Sequence, residues 1–154
     1  MKYSDPRYIG FGQRWRRLKV DERFSELVSI TQDLGLRIHV ADLPPGKLGL
    51  HCHQTREIWI DVDLSPSEMT SVLAHEVGHA VFGHEDSTPE NEVQANEWAA
   101  VFLVPDDEWT AYLDAYGGCK TAFFADCFGV MEDVIKTRWD QHKRTMNKAP
   151  LCAV

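Results

Sequence analysis

The stretch from Ser65 to Gly83 constrains this chain more than any other. Ser65-Pro66-Ser67-Glu68 reads as a helix start: Ser65 suits the N-cap, Pro66 the first helical position, and Glu68 completes a capping box. The helix should end near Gly83. Met69, Val72, Leu73, Val77, Ala80 and Val81 fall along one broad apolar face, and Glu76 lies in that face. An unpaired carboxylate buried there would cost several kcal/mol. Its neighbours offer a remedy. His75-Glu76-Val77-Gly78-His79 places two imidazoles four residues apart, one turn above the other, where both can reach a single metal ion. Neutral imidazole is a good zinc ligand. Glu76 then points beside the ion rather than at it, placed to take a proton from a water that the metal activates.

A catalytic zinc takes three protein ligands and keeps one position open. A second helix is expected from Thr88-Pro89, through Ala95, Ala99, Phe102 and Leu103, to just before Pro105. It carries three candidates, Glu90, Glu92 and Glu97. Glu92 has the best context: Ala95 is small enough to let two helices approach closely, and Asn96, four residues on, shares a face with Glu92. Asn96 can supply the oxygen that a metal-bound histidine needs for its other N–H. Glu90 and Glu97 read as solvated surface charges, which is also the alternative for Glu92. The oxyanion of a hydrolytic reaction needs a stabiliser besides the metal. His84, His51, His53 and Tyr112 are the candidates, and the sequence does not choose among them. The plainer role for His84 is at a helix end, where a protonated imidazole interacts well with the helix dipole. His51-Cys52-His53 invites a second-metal reading, against which a polar edge strand is the simpler account.

The rest of the chain predicts an α+β fold in one domain, which 154 residues can fill with a core. A first helix is expected over 21–34, ended by Gly35. Residues 1–19 read as an irregular arm. Strands are expected at 36–40, near 48–51 and over 57–62, forming a small, mostly antiparallel three-stranded sheet packed with the His-Glu-x-x-His helix. A short helix over 107–115 ends at Gly117-Gly118. A last helical region runs over 119–142, breaks at Gly129 and leaves a frayed tail over 145–154. Phe123, Phe124, Phe128 and Trp139 read as core. The net charge of −8 argues against direct binding of nucleic acid or an anionic membrane. One small basic segment, Arg14, Arg16, Arg17 and Lys19 around Trp15, reads as a solvated face, with docking onto an acidic partner as the lesser reading. No apolar run is long enough to span a membrane and the N-terminus lacks a secretory core. Four cysteines without a Cys-x-x-Cys pair read as reduced thiols. A cytoplasmic location is therefore expected.

Three segments together resemble a known family. They are Leu73-Ala74-His75-Glu76-Val77-Gly78-His79-Ala80-Val81, then Glu92-Val93-Gln94-Ala95-Asn96-Glu97-Trp98-Ala99-Ala100, then Phe102-Leu103-Val104-Pro105. Their pattern is similar to that of the ImmA/IrrE metallopeptidases. Leu43-Pro44-Pro45-Gly46 and Glu57-Ile58-Trp59-Ile60-Asp61 resemble the family's strand region, and Ala125-Asp126-Cys127-Phe128-Gly129-Val130 its C-terminal helical segment. The resemblance implies a zincin-like, gluzincin-type peptidase with one zinc ion, held by His75, His79 and Glu92, with Glu76 as general base. It also implies a protein substrate, a helix-turn-helix transcriptional repressor. The sequence shows no helix-turn-helix segment of its own, so the repressor is expected to be a separate protein. The alternative is a non-cleaving binding module, antirepressor-like, on the same fold. Two departures stand out: the interval between His79 and Glu92 is short, and Met131 stands where many members cap a helix with serine.

Overall fold

The computed structural model describes the backbone of residues 12–148 and the side chains of residues 22–148. The first eleven residues of the expected arm, the basic segment around Trp15 and the tail beyond 148 lie outside the described residues or side chains.

Helix α1 spans Gly12–Asp33. It begins at Gly12 rather than Asp21, which corrects the expectation of an irregular arm up to Lys19. Residues 13–19 are mostly good helix formers and contain neither proline nor glycine. They lack apolar periodicity, the signal on which the expected boundary rests. Gly35, at φ +67°, turns the chain out of α1.

Strands β1 (Arg37–Ala41), β2 (Gly49–Cys52) and β3 (Glu57–Asp61) form one sheet in the order β1-β3-β2. β2 and β3 make an antiparallel hairpin, Leu50 opposite Trp59, while β1 joins β3 in parallel, Ile38 beside Ile58. The sheet is therefore mixed, not mostly antiparallel. The hairpin occupies one edge of β3, so β1 takes the other, and there it runs in the direction of β3. Ile58 and Ile60 of the central strand are wholly buried, on the alternate positions that face the helices.

Helix α2 spans Pro66–Phe82. Both halves of its capping box form: Glu68 N–H donates to Ser65 Oγ at 3.4 Å, and Ser65 N–H donates to Glu68 Oε2 at 2.8 Å. Gly83, at φ +67°, closes the helix in the left-handed conformation. Helix α3 (Pro89–Leu103) starts where Thr88 Oγ1 accepts from Asn91 N–H and packs along α2. Helices α4 (Asp106–Tyr116), α5 (Thr121–Phe128) and α6 (Glu132–Lys148) complete the α+β architecture, with Gly129 breaking the last two. α6 continues as helix to Lys148, beyond the expected fraying point. Leu27, Ile58, Leu73, Val77, Leu103, Trp109, Phe124 and Ile135 belong to one buried apolar cluster joining sheet and helices.

The contact between α2 and α3 decides where the site lies. A Cβ at Gly78 would stand 2.8 Å from the Ala95 carbonyl oxygen and 3.0 Å from its Cα. Only glycine opposite a buried alanine lets the two backbones come this close, and the approach brings Glu92 over His75 and His79.

Candidate metal centre

His75 and His79 stand one turn apart on α2, and Glu92 reaches them from the first turn of α3. The two Nε2 atoms are 3.1 Å apart. His75 Nε2 lies 3.3 Å from Glu92 Oε2, and His79 Nε2 lies 3.2 Å from Glu92 Oε1. Among the described residues this is the one set of three histidine, cysteine or acidic side chains converging on a common point. Three donors at bonds of about 2.0–2.1 Å in a tetrahedral shell stand about 3.3 Å from one another, so the spacing fits a small dication.

The hydrogen bonds behind the triad strengthen that fit. His75 Nδ1 is 2.8 Å from Asn96 Oδ1. An amide oxygen only accepts, so Nδ1 carries a proton, and the neutral tautomer with that proton presents a bare Nε2 toward His79 and Glu92. Burial first, and then the neighbouring His75, push the His79 pKa down to about 4, so His79 is neutral near pH 7. Lone pairs and a carboxylate thus face one another, an arrangement that a cation satisfies.

Glu76 lies beside the triad and is almost fully buried. The backbone N–H of His51 on β2 donates to its carboxyl group. Burial, followed by the charge of Glu92, raises its pKa to about 8, with Lys47 and the His51 N–H opposing. Gly49 makes room for it: a Cβ there would sit 2.6 Å from Val72 Cγ1 and 2.7 Å from Glu76 Oε1. The triad, Glu76 and Asn96 open into a cleft of about 380 Å³, walled by residues 46–51 of the sheet side and by Met131, Val134 and Thr137 of the α6 side.

The remaining candidates separate clearly. His84 borders the cleft, but both its nitrogens are engaged: Nδ1 lies 2.9 Å from His79 Nδ1 and Nε2 lies 2.8 Å from Gln94 Oε1. His84 does follow the end of α2, as the plainer reading has it, but its ring is committed to His79 and Gln94, which leaves no nitrogen for an oxyanion. Sequence reasoning misses Gln94, since a polar residue on a helix surface carries no signal of its own. Tyr112 packs in an aromatic group on α4 and α5, its ring 4.4 Å from Phe128, and does not line the cleft. His51 does line it, stacked 6.4 Å from the His79 ring. His53 turns away, with Nε2 3.8 Å from Glu85. The second-metal reading of His51 and His53 finds no third ligand among the described residues. Glu97 pairs with Arg144 of α6, and Glu90 is exposed. Met131 lacks a capping side chain, but its N–H donates to Ser71 Oγ at 3.0 Å, which ties the start of α6 to α2. Cys52, Cys119 and Cys127 form no disulfide with one another. No described helix is long and apolar enough to cross a membrane.

Among solved structures, a Mycobacterium tuberculosis transcriptional regulator is similar, with a TM-score of 0.54 and 15% identity. The likeness, which concerns the fold, covers 90% of this chain and 52% of the regulator, so the chain spans about half of that protein's length. No curated protein matches. The family model described as the IrrE N-terminal-like domain, peptidase M78, matches residues 31–140, most of the chain with the whole α2–α3 centre, and the protein belongs to that family.

Proposed function

We propose that this domain is a zinc-dependent endopeptidase that cleaves a separate helix-turn-helix repressor or a similar regulator. The observation that carries the reading is the convergence of His75, His79 and Glu92 with the Glu76 carboxyl held beside them. A purely structural zinc has no use for Glu76 and is usually closed by a fourth protein ligand. Family membership supports peptidase chemistry, and the likeness to a transcriptional regulator agrees with a regulatory setting.

Zinc, when bound, would supply Lewis acidity toward the scissile carbonyl and toward water. The protein's own groups do the rest. Asn96 orients His75 so that its Nε2 faces the centre. Glu76 takes the proton of the attacking water and later delivers it to the leaving amine. To accept that proton Glu76 must be ionised, and a cation held by Glu92 offsets the second cause of its raised pKa. The His51 backbone N–H keeps the carboxyl aimed into the cleft. The His51 ring is best placed to donate a hydrogen bond to the developing oxyanion, since His84 has no free nitrogen and Tyr112 and His53 lie off the cleft wall.

Two experiments test this together. Elemental analysis should find about one zinc per wild-type chain, and a marked loss in Glu92→Ala. Co-expression with a neighbouring repressor should deplete the repressor with wild type but not with Glu76→Gln. Equal loss of repression with both, and an intact repressor, would sink cleavage and favour the non-cleaving binding module.

A further inference from the structure

We propose that Gln94 is a positioning residue: through His84 it sets which nitrogen of His79 carries the proton, and so keeps His79 Nε2 bare for the metal. The inference rests on the metal-site reading above.

The chain of contacts is continuous. Gly83 turns the backbone at the end of α2, and the next residue, His84, donates its N–H to the His79 carbonyl at 2.9 Å. That turn folds the His84 ring back beneath His79, where it is buried. The two Nδ1 atoms meet at 2.9 Å, and His84 Nε2 meets Gln94 Oε1 at 2.8 Å. Two imidazoles in contact cannot both donate or both accept. With the Gln94 oxygen accepting, the neutral form of His84 carries its proton on Nε2 and offers the Nδ1 lone pair. His79 then donates from Nδ1, and its Nε2, 3.1 Å from His75 Nε2, is left as a lone pair. With a donor at position 94 every step reverses: His84 holds its proton on Nδ1, His79 accepts there, and Nε2–H blocks the centre.

The two histidine ligands are therefore oriented by different devices. Asn96 holds His75 directly, whereas Gln94 holds His79 through an intervening imidazole. Both amides and the Glu92 carboxylate come from α3, so one helix supplies a ligand and sets the tautomers of the other two. Loss of such supporting contacts typically weakens metal affinity about 10–100-fold.

The test compares zinc affinity, by competition with a chelator, among metal-free wild type, Gln94→Glu, Gln94→Met and Gln94→Lys, each checked for fold by circular dichroism. Glu accepts only and should keep wild-type affinity or better. Met neither donates nor accepts and should lose about tenfold, and Lys, which only donates, about a hundredfold. The same Glu and Lys substitutions in a His84→Phe background separate the relay from bare charge: the gap between them should largely close. Nitrogen NMR of the zinc-loaded wild type should show His84 protonated at Nε2, a readout that stands even if His84→Phe fails to fold. An Nδ1-protonated His84, unchanged affinity in Gln94→Lys, or an undiminished Glu–Lys gap without His84 would each overturn the proposal. Absence of zinc binding by wild type would instead overturn the metal-site reading itself.

Discussion

Glu76 opposes the stability of the metal-free fold, and on the proposed reading it does so in the service of chemistry. Its carboxyl is buried, and its pKa is raised from 4.5 to about 8. The unfolded chain ionises the group near its ordinary value, while the metal-free folded chain keeps it protonated over most of the neutral range. The sign follows from linkage: folding suffers no cost from this group well below pH 4.5, and the cost grows as pH rises and is complete above about 8. Glutamine fills the same space without ionising. Each tenfold change in a protonation equilibrium is worth about 1.4 kcal/mol. Metal-free Glu76→Gln should therefore match wild type near pH 4 in denaturant unfolding and exceed it at pH 8 by about 2–5 kcal/mol. Other titrating groups are common to both proteins and cancel in the comparison. A difference that does not grow with pH would show that Glu76 is ionised in the metal-free fold. On the proposed reading the variant should also lack the peptidase activity, which would make the destabilising carboxylate a cost of function.

At the scale of elements, α2 and α6 begin in opposite ways. α2 carries a complete capping box, whereas α6 is preceded by Met131, whose side chain caps nothing and whose N–H is held by Ser71 Oγ instead. Met131→Ser should supply the missing side-chain acceptor. An N-cap serine is worth about 0.5–2 kcal/mol, so its thermal midpoint should rise provided the Ser71 contact survives; an unchanged or lower midpoint would show that Met131 contributes as much by packing on the cleft wall. The bounds of α2 and α3 are legible in sequence because caps, N1 prolines and terminal glycines act over a few residues. The same holds for His75, Glu76 and His79, whose geometry a helix dictates. The start of α1 is not legible, because residues 13–19 form helix without an apolar stripe. The parallel pairing of β1 with β3 is not legible either, since it depends on which edge of β3 the β2 hairpin leaves open. His84 and Gln94 escape for a related reason: their contact crosses from the turn after α2 onto α3, and neither residue has local context that marks it.

Across the whole molecule, the candidate metal centre would double as a clasp. α2 packs on the sheet, α3 packs on α2 and on α6, and the triad draws two ligands from α2 and one from α3. A bound ion would thus join the sheet-bound half of the core to the half that carries α6. Gly78 against Ala95 sets the separation across which it acts. Ligand binding to the folded state alone stabilises by about 2.7 kcal/mol at a free concentration a hundred times Kd. Adding zinc to the metal-free protein at that ratio should raise its thermal midpoint by several degrees, and a chelator should reverse the gain. Gly78→Ala tests the spacing. Its Cβ would press on backbone rather than on a flexible side chain, so α3 must move away and Glu92 with it. The variant should fold with lower stability and show a zinc-induced rise much smaller than that of wild type at equal zinc. A full zinc response in Gly78→Ala would mean that Glu92 follows the ion independently of helix separation, and that the close approach of α2 and α3 serves packing alone.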